Sequence, residues 1–241
     1  MHIPKTGGMS VENYLKMLVP ADQIAAYPLT DTCQYLENEY SNKFRFYFSH
    51  TPAYFAQLLP FPVFRFTWLR DPVDRAISAY NHILRDTSHP WHTRMRTLTT
   101  DFESFIKHPQ LRQHLVEAMT VFLGSEINLT LEEGDEQSIG AVSRAAIATP
   151  PDRHTLSRAK TRVNEFDFIG FTDRLERNCE VLAAALGLKP RPFEMKLNCD
   201  PKVDTFRPRV TRSEEIEGLV WRHSPYDVEL YNYAREKWLK E

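Results

Sequence analysis

The chain has 241 residues, 42% of them hydrophobic and 26% charged, enough to bury a full core and within the range of one large α/β domain. Lys and Arg number 30 against 32 Asp and Glu, a formal net charge of -2, so attraction to an anion has to be local and nucleic acid is not expected as the main partner. The three cysteines, Cys33, Cys179 and Cys199, are odd in number and widely spaced, which makes neither a disulfide framework nor a zinc site, and no apolar run of about 18 residues or basic-then-apolar leader is present.

In chain order, the first element is a turn. His2-Ile3-Pro4-Lys5-Thr6-Gly7-Gly8-Met9-Ser10 sits between a very short apolar start, Met1 to Ile3, and a helical pattern of Val11, Leu15, Leu18 and Val19. Two glycines at a helix start let backbone N–H groups approach an anion, with a lysine beside them. The lysine precedes the glycines, unlike the nucleoside-triphosphate loop G-x-x-x-x-G-K-[ST]. Taken alone, a tight surface turn explains the block equally well. The stretch before it is short for a strand, so the expectation is either a stub or a start lying upstream.

Phe44-Arg45-Phe46-Tyr47-Phe48 predicts a strand that ends at Ser49-His50, and Val63-Phe64-Arg65-Phe66-Thr67-Trp68 predicts another that runs into Arg70. Asp71 then caps a helix with Pro72 at its first position, and Val73, Ala76, Ile77, Tyr80, Ile83 and Leu84 form the buried stripe. Ser78 lies off that stripe. Singly, Arg70 reads as a helix-start ion pair with Asp71 or Asp74, and Ser78 as a solvent-facing residue. Jointly, at this spacing after an apolar strand, a guanidinium and a hydroxyl on one edge share a phosphate well. With the Lys5 turn they suggest a nucleotide carrying two separate phosphate sites.

Residues of about 87–162 predict mostly helix broken at Pro90, Pro109 and Pro150-Pro151, and this segment is expected to face the acceptor. Arg153, His154, Arg158, Lys160 and Arg162 form a basic run for which a solvated helix face is favoured over contact with an anionic glycan, and Trp91 is a candidate sugar-stacking ring. Glu132-Glu133-Gly134-Asp135-Glu136 reads as a solvated loop, and no acidic pair has metal-ligand spacing, so no metal is expected. Phe166 to Phe171 predicts a last strand, followed by a helix that Thr172 caps, Leu175, Cys179, Leu182 and Leu186 line, and Gly187 closes. This alternation favours a parallel sheet with helices on both faces and ligand at the carboxyl ends of its strands.

HIPKTGGMS followed by FTWLRDPVDRAISAY resembles the paired motifs of sulfotransferases that use 3′-phosphoadenosine 5′-phosphosulfate, especially the carbohydrate type that includes the heparan sulfate 2-O-sulfotransferases. Phe168-Ile169-Gly170-Phe171-Thr172-Asp173-Arg174 and Asp227-Val228-Glu229-Leu230-Tyr231 carry the likeness further. The resemblance implies an α/β, P-loop-like three-layer fold with a central parallel sheet flanked by helices, one domain over 1–241 with a helical acceptor-facing insertion at about 87–162. It implies that Lys5, Thr6, Gly7, Gly8, Met9 and Ser10 hold the 5′-phosphosulfate, with Lys5 on the bridging oxygen, and that Arg70 and Ser78 hold the 3′-phosphate. Arg207, in a basic segment near the chain's end, is similar to a residue that closes over the nucleotide. Met9 stands where the family usually has Thr, which removes a hydroxyl donor and leaves the backbone N–H.

Sulfuryl transfer to an alcohol needs a base titrating near neutral pH. His50 ends a strand on the edge expected to carry Lys5 and Arg70, and Ser49-His50 resembles the catalytic histidine position of the 2-O-sulfotransferases. The competing role for His50 is a backbone hydrogen bond; His2 reads as packing, and His82, His89 and His92 as acceptor contacts or exposed side chains. Lys5 is expected to stabilise the leaving oxygen. The expected acceptor is a hydroxyl-bearing saccharide and the expected product adenosine 3′,5′-bisphosphate. The alternatives are a non-catalytic nucleotide- or glycan-binding module and an ATP-dependent kinase, the latter lacking a lysine after the glycines and a clear magnesium ligand. The expected compartment is a bacterial cytoplasm, or the Golgi lumen if an upstream anchor has been removed.

Overall fold

A computed structural model describes residues 1–25, 44–48, 50, 52–58, 62–126, 149–193 and 209–239. Arg207, Ser49, Cys33, Cys199 and the acidic 132–136 stretch lie outside the described residues. The architecture is mixed α/β with small parallel sheets. Strand β1 (Ile24–Ala25) pairs in parallel with β2 (Phe46–Tyr47), and β3 (Phe66–Leu69) pairs in parallel with β4 (Phe168–Phe171), Phe66 opposite Phe168 and Leu69 opposite Phe171. Every residue of β3 and β4 is buried, as expected of parallel strands covered on both faces. A Cβ at Gly170 would overlap the Trp68 indole, so the missing side chain makes room for its neighbour across the ladder. The ladders are shorter than the apolar runs that predicted them, beginning at Phe46 and Phe66.

Helix α1 (Gly8–Leu18) follows the glycine turn and buries Val11, Tyr14 and Leu15. Helix α2 (Pro72–Arg85) starts as predicted: the Asp71 carboxylate accepts from Val73 N at 3.0 Å and Asp74 N at 3.1 Å, with Pro72 heading the helix. Val73, Ala76, Tyr80, Ile83 and Leu84 are its buried stripe, and Ile77 is half-buried against the same cluster.

After it come α3 (His92–Leu98), α4 (Phe102–Lys107), α5 (Ala118–Gly124) and α6 (Arg153–Glu165). These helices supply Met95, Phe105, Ile106, Met119, Leu123, Leu156 and Val163 to the core. Four members of the basic run on α6 have partners within the protein, and His154 is exposed. Arg153 and Lys160 both pair with Glu229 at 2.8 Å, Arg158 bonds Gly124 O at 2.8 Å, and buried Arg162 donates to Leu123 O at 2.7 Å and Ser125 O at 2.6 Å. Trp91 lies under the Arg94 guanidinium, 5.0 Å from ring centroid to Cζ.

The helix after β4, α7 (Leu175–Ala185), departs from expectation at its start. Thr172–Arg174 form a 3-10 turn first, and Thr172 caps nothing, because its hydroxyl donates to Thr6 O at 2.8 Å and Leu69 O at 3.1 Å. Leu175, Cys179 and Leu182 are buried as predicted, and Gly187, at φ 69°, ends the helix. Two helices, α8 (Glu214–His223) and α9 (Pro225–Trp238), close the described chain. Among the described residues no helix is long and apolar enough to cross a membrane.

Candidate functional site

The carboxyl ends of β3 and β4 meet the Lys5 turn. The Met1 amino group donates to Phe66 O at 3.3 Å, and the Thr172 hydroxyl bridges Thr6 O and Leu69 O. Lys5 and Gly7 both take left-handed backbone, φ 70° and φ 94°, the second of which suits glycine alone without strain. Gly7 O accepts from Ser10 N at 3.0 Å and Val11 N at 3.1 Å, which starts α1 directly on the turn. Gly8 and Met9 therefore head a helix whose first N–H groups have no intrahelical acceptor, an arrangement that suits an anion. Thr6 turns inward: its hydroxyl donates to Ile3 O at 2.8 Å and it is fully buried. The Met9 side chain is 59% exposed, so this departure from the family pattern stands at the surface beside the turn.

Gly8 is required for a second reason. A Cβ there would overlap the imidazole of His2, which is itself 8% exposed. Gly8→Ala is expected to cost about 1–3 kcal/mol of stability, the usual range for overpacking, read as a lower melting temperature by differential scanning fluorimetry. An unchanged midpoint would mean that the His2 ring yields.

Arg70 follows β3 directly and its Nη1 donates to Lys5 O at 3.2 Å. The left-handed bend at Lys5 and the end of β3 are thus joined by one hydrogen bond, although 65 residues separate them. The ion pair with Asp71 or Asp74 that would have made Arg70 a local feature is made by another residue. Arg212 pairs with Asp71 at 2.9 Å, Asp74 at 3.1 Å and Glu217 at 2.6 Å. Among the described residues neither Lys5 nor Arg70 has a carboxylate within ion-pair distance. Burial, then the Arg85 and Arg70 guanidinium groups, push Lys5 down to about 8, and burial also lowers Arg70. Two buried cations at one turn, on which Asp86, Asp71 and Asp74 act only from beyond ion-pair distance, suit an anion.

Ser78 lies within α2, half-buried, and its hydroxyl bonds no described residue. One turn on, Asn81 grips Val210 with two bonds, Nδ2 to Val210 O at 2.8 Å and Val210 N to Oδ1 at 2.9 Å. The chain entering α8 is thereby laid along α2.

His50 Nδ1 is 2.8 Å from His2 O. A carbonyl oxygen only accepts, so Nδ1 carries the proton and Nε2 keeps the lone pair. The His2 and His50 rings lie 4.3 Å apart at 33°, so His50 packs on the same ring that a Cβ at Gly8 would meet. His50 has an exposed edge, yet the atoms packed around its ring lower its pKa below 6.5; burial is the main cause, the bond to His2 opposes it, and Lys5 adds to it. His2 is lowered further, to about 2, by burial and then by His50, which suits a packing role. His82 is lowered to about 4 by burial and then by Lys5, and its ring meets His89 edge-on at 5.4 Å. His92 is buried and bonds Ile83 O at 2.9 Å. Among the described residues no group of His, Cys, Asp and Glu is arranged to hold a metal ion.

Sequence reasoning did not single out Arg85, Arg212 or the bridging hydroxyl of Thr172. Each acts on residues distant in sequence or through a partner that periodicity does not show. Residues 1–198, which include the Lys5 turn, His50, Arg70 and Ser78, match the sulfotransferase family. No curated protein matches the chain. A glycine turn heading a helix, a lysine and an arginine joined across it with no carboxylate at ion-pair distance among the described residues, and a histidine bonded to the His2 carbonyl sit within that matched span, and the chain belongs to the sulfotransferase family.

Proposed function

We propose that the chain moves a sulfuryl group from 3′-phosphoadenosine 5′-phosphosulfate to a hydroxyl of a carbohydrate, in the manner of the heparan sulfate 2-O-sulfotransferases. The observation that carries this is Lys5 and Arg70, without a carboxylate at ion-pair distance among the described residues, joined at a helix-heading glycine turn. Lys5, Thr6, Gly7, Gly8, Met9 and Ser10 form the 5′-phosphosulfate cradle, Thr6 through its backbone, while Arg70 and Ser78, with Arg207, take the 3′-phosphate. The donor fits these residues because two anionic groups answer two cations that have no carboxylate partner among the described residues. The fold is read as a P-loop-like three-layer domain over 1–241, with the helical segment of about 87–162 facing the acceptor.

The step is an in-line displacement at sulfur. The acceptor oxygen forms the new S–O bond as its proton passes to Nε2 of His50, and the old S–O bond to the 5′-phosphate breaks. The electron pair leaves with the phosphate oxygen, beside the Lys5 ammonium, and adenosine 3′,5′-bisphosphate is released. Fixed charge aimed at the leaving oxygen is the largest single contribution expected from the site.

Labelled donor incubated with a panel of saccharides, small alcohols and tyrosine peptides tests the activity, and label is expected on a saccharide hydroxyl. Adenosine 3′,5′-bisphosphate is expected to raise the melting temperature more than ATP does, since a ligand bound only by the folded state stabilises it. Arg70→Ala is expected to lose about ten- to a hundredfold of bisphosphate affinity, the value of a charge-assisted bond. A larger shift with ATP, or unchanged affinity in Arg70→Ala, would overturn the two-phosphate site.

A further inference from the structure

Arg75 belongs to the same motif as Arg70 and Ser78, yet its side chain lies buried in the core. It is 1% exposed, and its Nη2 donates to Leu115 O, just ahead of α5. Its Nε lies 3.9 Å from Oδ2 of Asp227, an equally buried carboxylate in the first turn of α9. Asp227 caps α5, accepting from Met119 N at 3.2 Å and Thr120 N at 2.7 Å. Glu117, the residue before α5, caps α9 in return, accepting from Tyr226 N at 3.1 Å and Asp227 N at 2.7 Å. Glu117 holds left-handed backbone, φ 54°, to do so. Two helices thus cap each other with carboxylates, and α2 is tied to the pair through one guanidinium.

Resting on the donor assignment proposed above, we propose that Arg75, with Asp227 and Glu117, is a positioning group that sets the rotation of α2 and so aligns Ser78 with Arg70 for the 3′-phosphate. Ser78 is one turn beyond Arg75 on the same helix, and Arg70 immediately precedes its cap. The Asn81–Val210 bonds hold α2 from another side, so the helix has fixed points before and after Ser78. Burying a cation and two carboxylates is costly compared with apolar packing, and an apolar side chain at position 75 would fill the core more cheaply. The Arg75 bond to Leu115 O and the N–H bonds to Asp227 and Glu117 are directional, while Arg75 Nε meets Asp227 as a charge without a hydrogen bond; that fixed direction is what a bidentate phosphate site needs.

The test is calorimetric titration of the full chain with adenosine 3′,5′-bisphosphate and with adenosine 5′-monophosphate, and the readout is the ratio of the two affinities. Arg75→Lys and Asp227→Asn are each expected to reduce that ratio about tenfold, with monophosphate affinity retained. Val73→Ala, a cavity on the same helix, is expected to lower the melting temperature and leave the ratio unchanged. The proposal is overturned if a folded Arg75→Lys or Asp227→Asn keeps the wild-type ratio, or if Val73→Ala reduces it equally at a matched loss of melting temperature. Should one of the two charge variants not fold, the other decides. A wild-type chain with no preference for the bisphosphate overturns the donor assignment itself, an outcome separate from the behaviour of the variants.

Discussion

His50→Ala is expected to lower the single-turnover rate of sulfuryl transfer by about 10²–10⁴-fold, the range for a positioned general base, while adenosine 3′,5′-bisphosphate binds as before. The expectation follows from one hydrogen bond. Because Nδ1 donates a hydrogen bond to the His2 carbonyl, Nε2 is the basic atom, and desolvation by the atoms packed around the ring holds it below its ordinary 6.5, so the neutral form prevails at physiological pH. The acidic limb of kcat/KM should accordingly fall below pH 6.5 and vanish in the variant. Transfer that persists at the wild-type rate would move the base elsewhere, with His82 the next group to test because Lys5 acts on its charge.

Lys5→Met is expected to lower kcat by about 10²–10³-fold, the loss seen when one fixed electrostatic donor to a developing negative charge is removed. The pH dependence makes this specific. Lys5 is pushed from its ordinary 10.5 down to about 8, so the ammonium is present below that pH and lost above it. For the free enzyme, kcat/KM should therefore decline through about pH 8, giving a bell with the histidine limb on the acid side. Lys5→Arg keeps a cation that does not titrate there, so the alkaline limb should disappear even if the rate is reduced. A limb near pH 8 that survives in Lys5→Arg belongs to another group.

These expectations depend on the immediate surroundings of Lys5 and His50, which differ in how far they were visible beforehand. The parallel strands β3 and β4, the Asp71-Pro72 helix start, the buried stripe of α2 and the glycine turn follow from residues within one or two turns of each other. Periodicity of burial, a capping carboxylate and a left-handed glycine are short-range physics, set by covalent geometry and by which face meets the core. The solvated-face expectation for the α6 basic run holds for the exposed Arg153 and not for the whole run. Arg162 is buried on backbone carbonyls, and Arg153 and Lys160 are held by Glu229.

Thr172 shows why a locally sound expectation fails. Its position before a helix favours a cap, but β4 delivers it beside Thr6 and Leu69, and with the hydroxyl turned to donate to those two carbonyl oxygens it makes no cap bond to the helix N–H groups. The same physics decides the charges. From sequence, Arg70 and its neighbouring Asp71 and Asp74 are an obvious pair; in the folded chain Arg212, 141 residues from Asp71, takes both carboxylates.

The sequence by itself therefore determined the secondary elements around the site, the phosphate-type turn and the residue types able to bind and transfer. Only the tertiary structure decided which of those residues lack a carboxylate partner among the described residues, which nitrogen of His50 bonds the His2 carbonyl, and what holds α2 in place. The reason is range. Capping and periodicity act over a few residues, whereas pairing between Lys5 and Arg70, His2 and His50, or Arg75 and Asp227 exists only after strand register and helix packing have brought distant segments within hydrogen-bond or ion-pair reach.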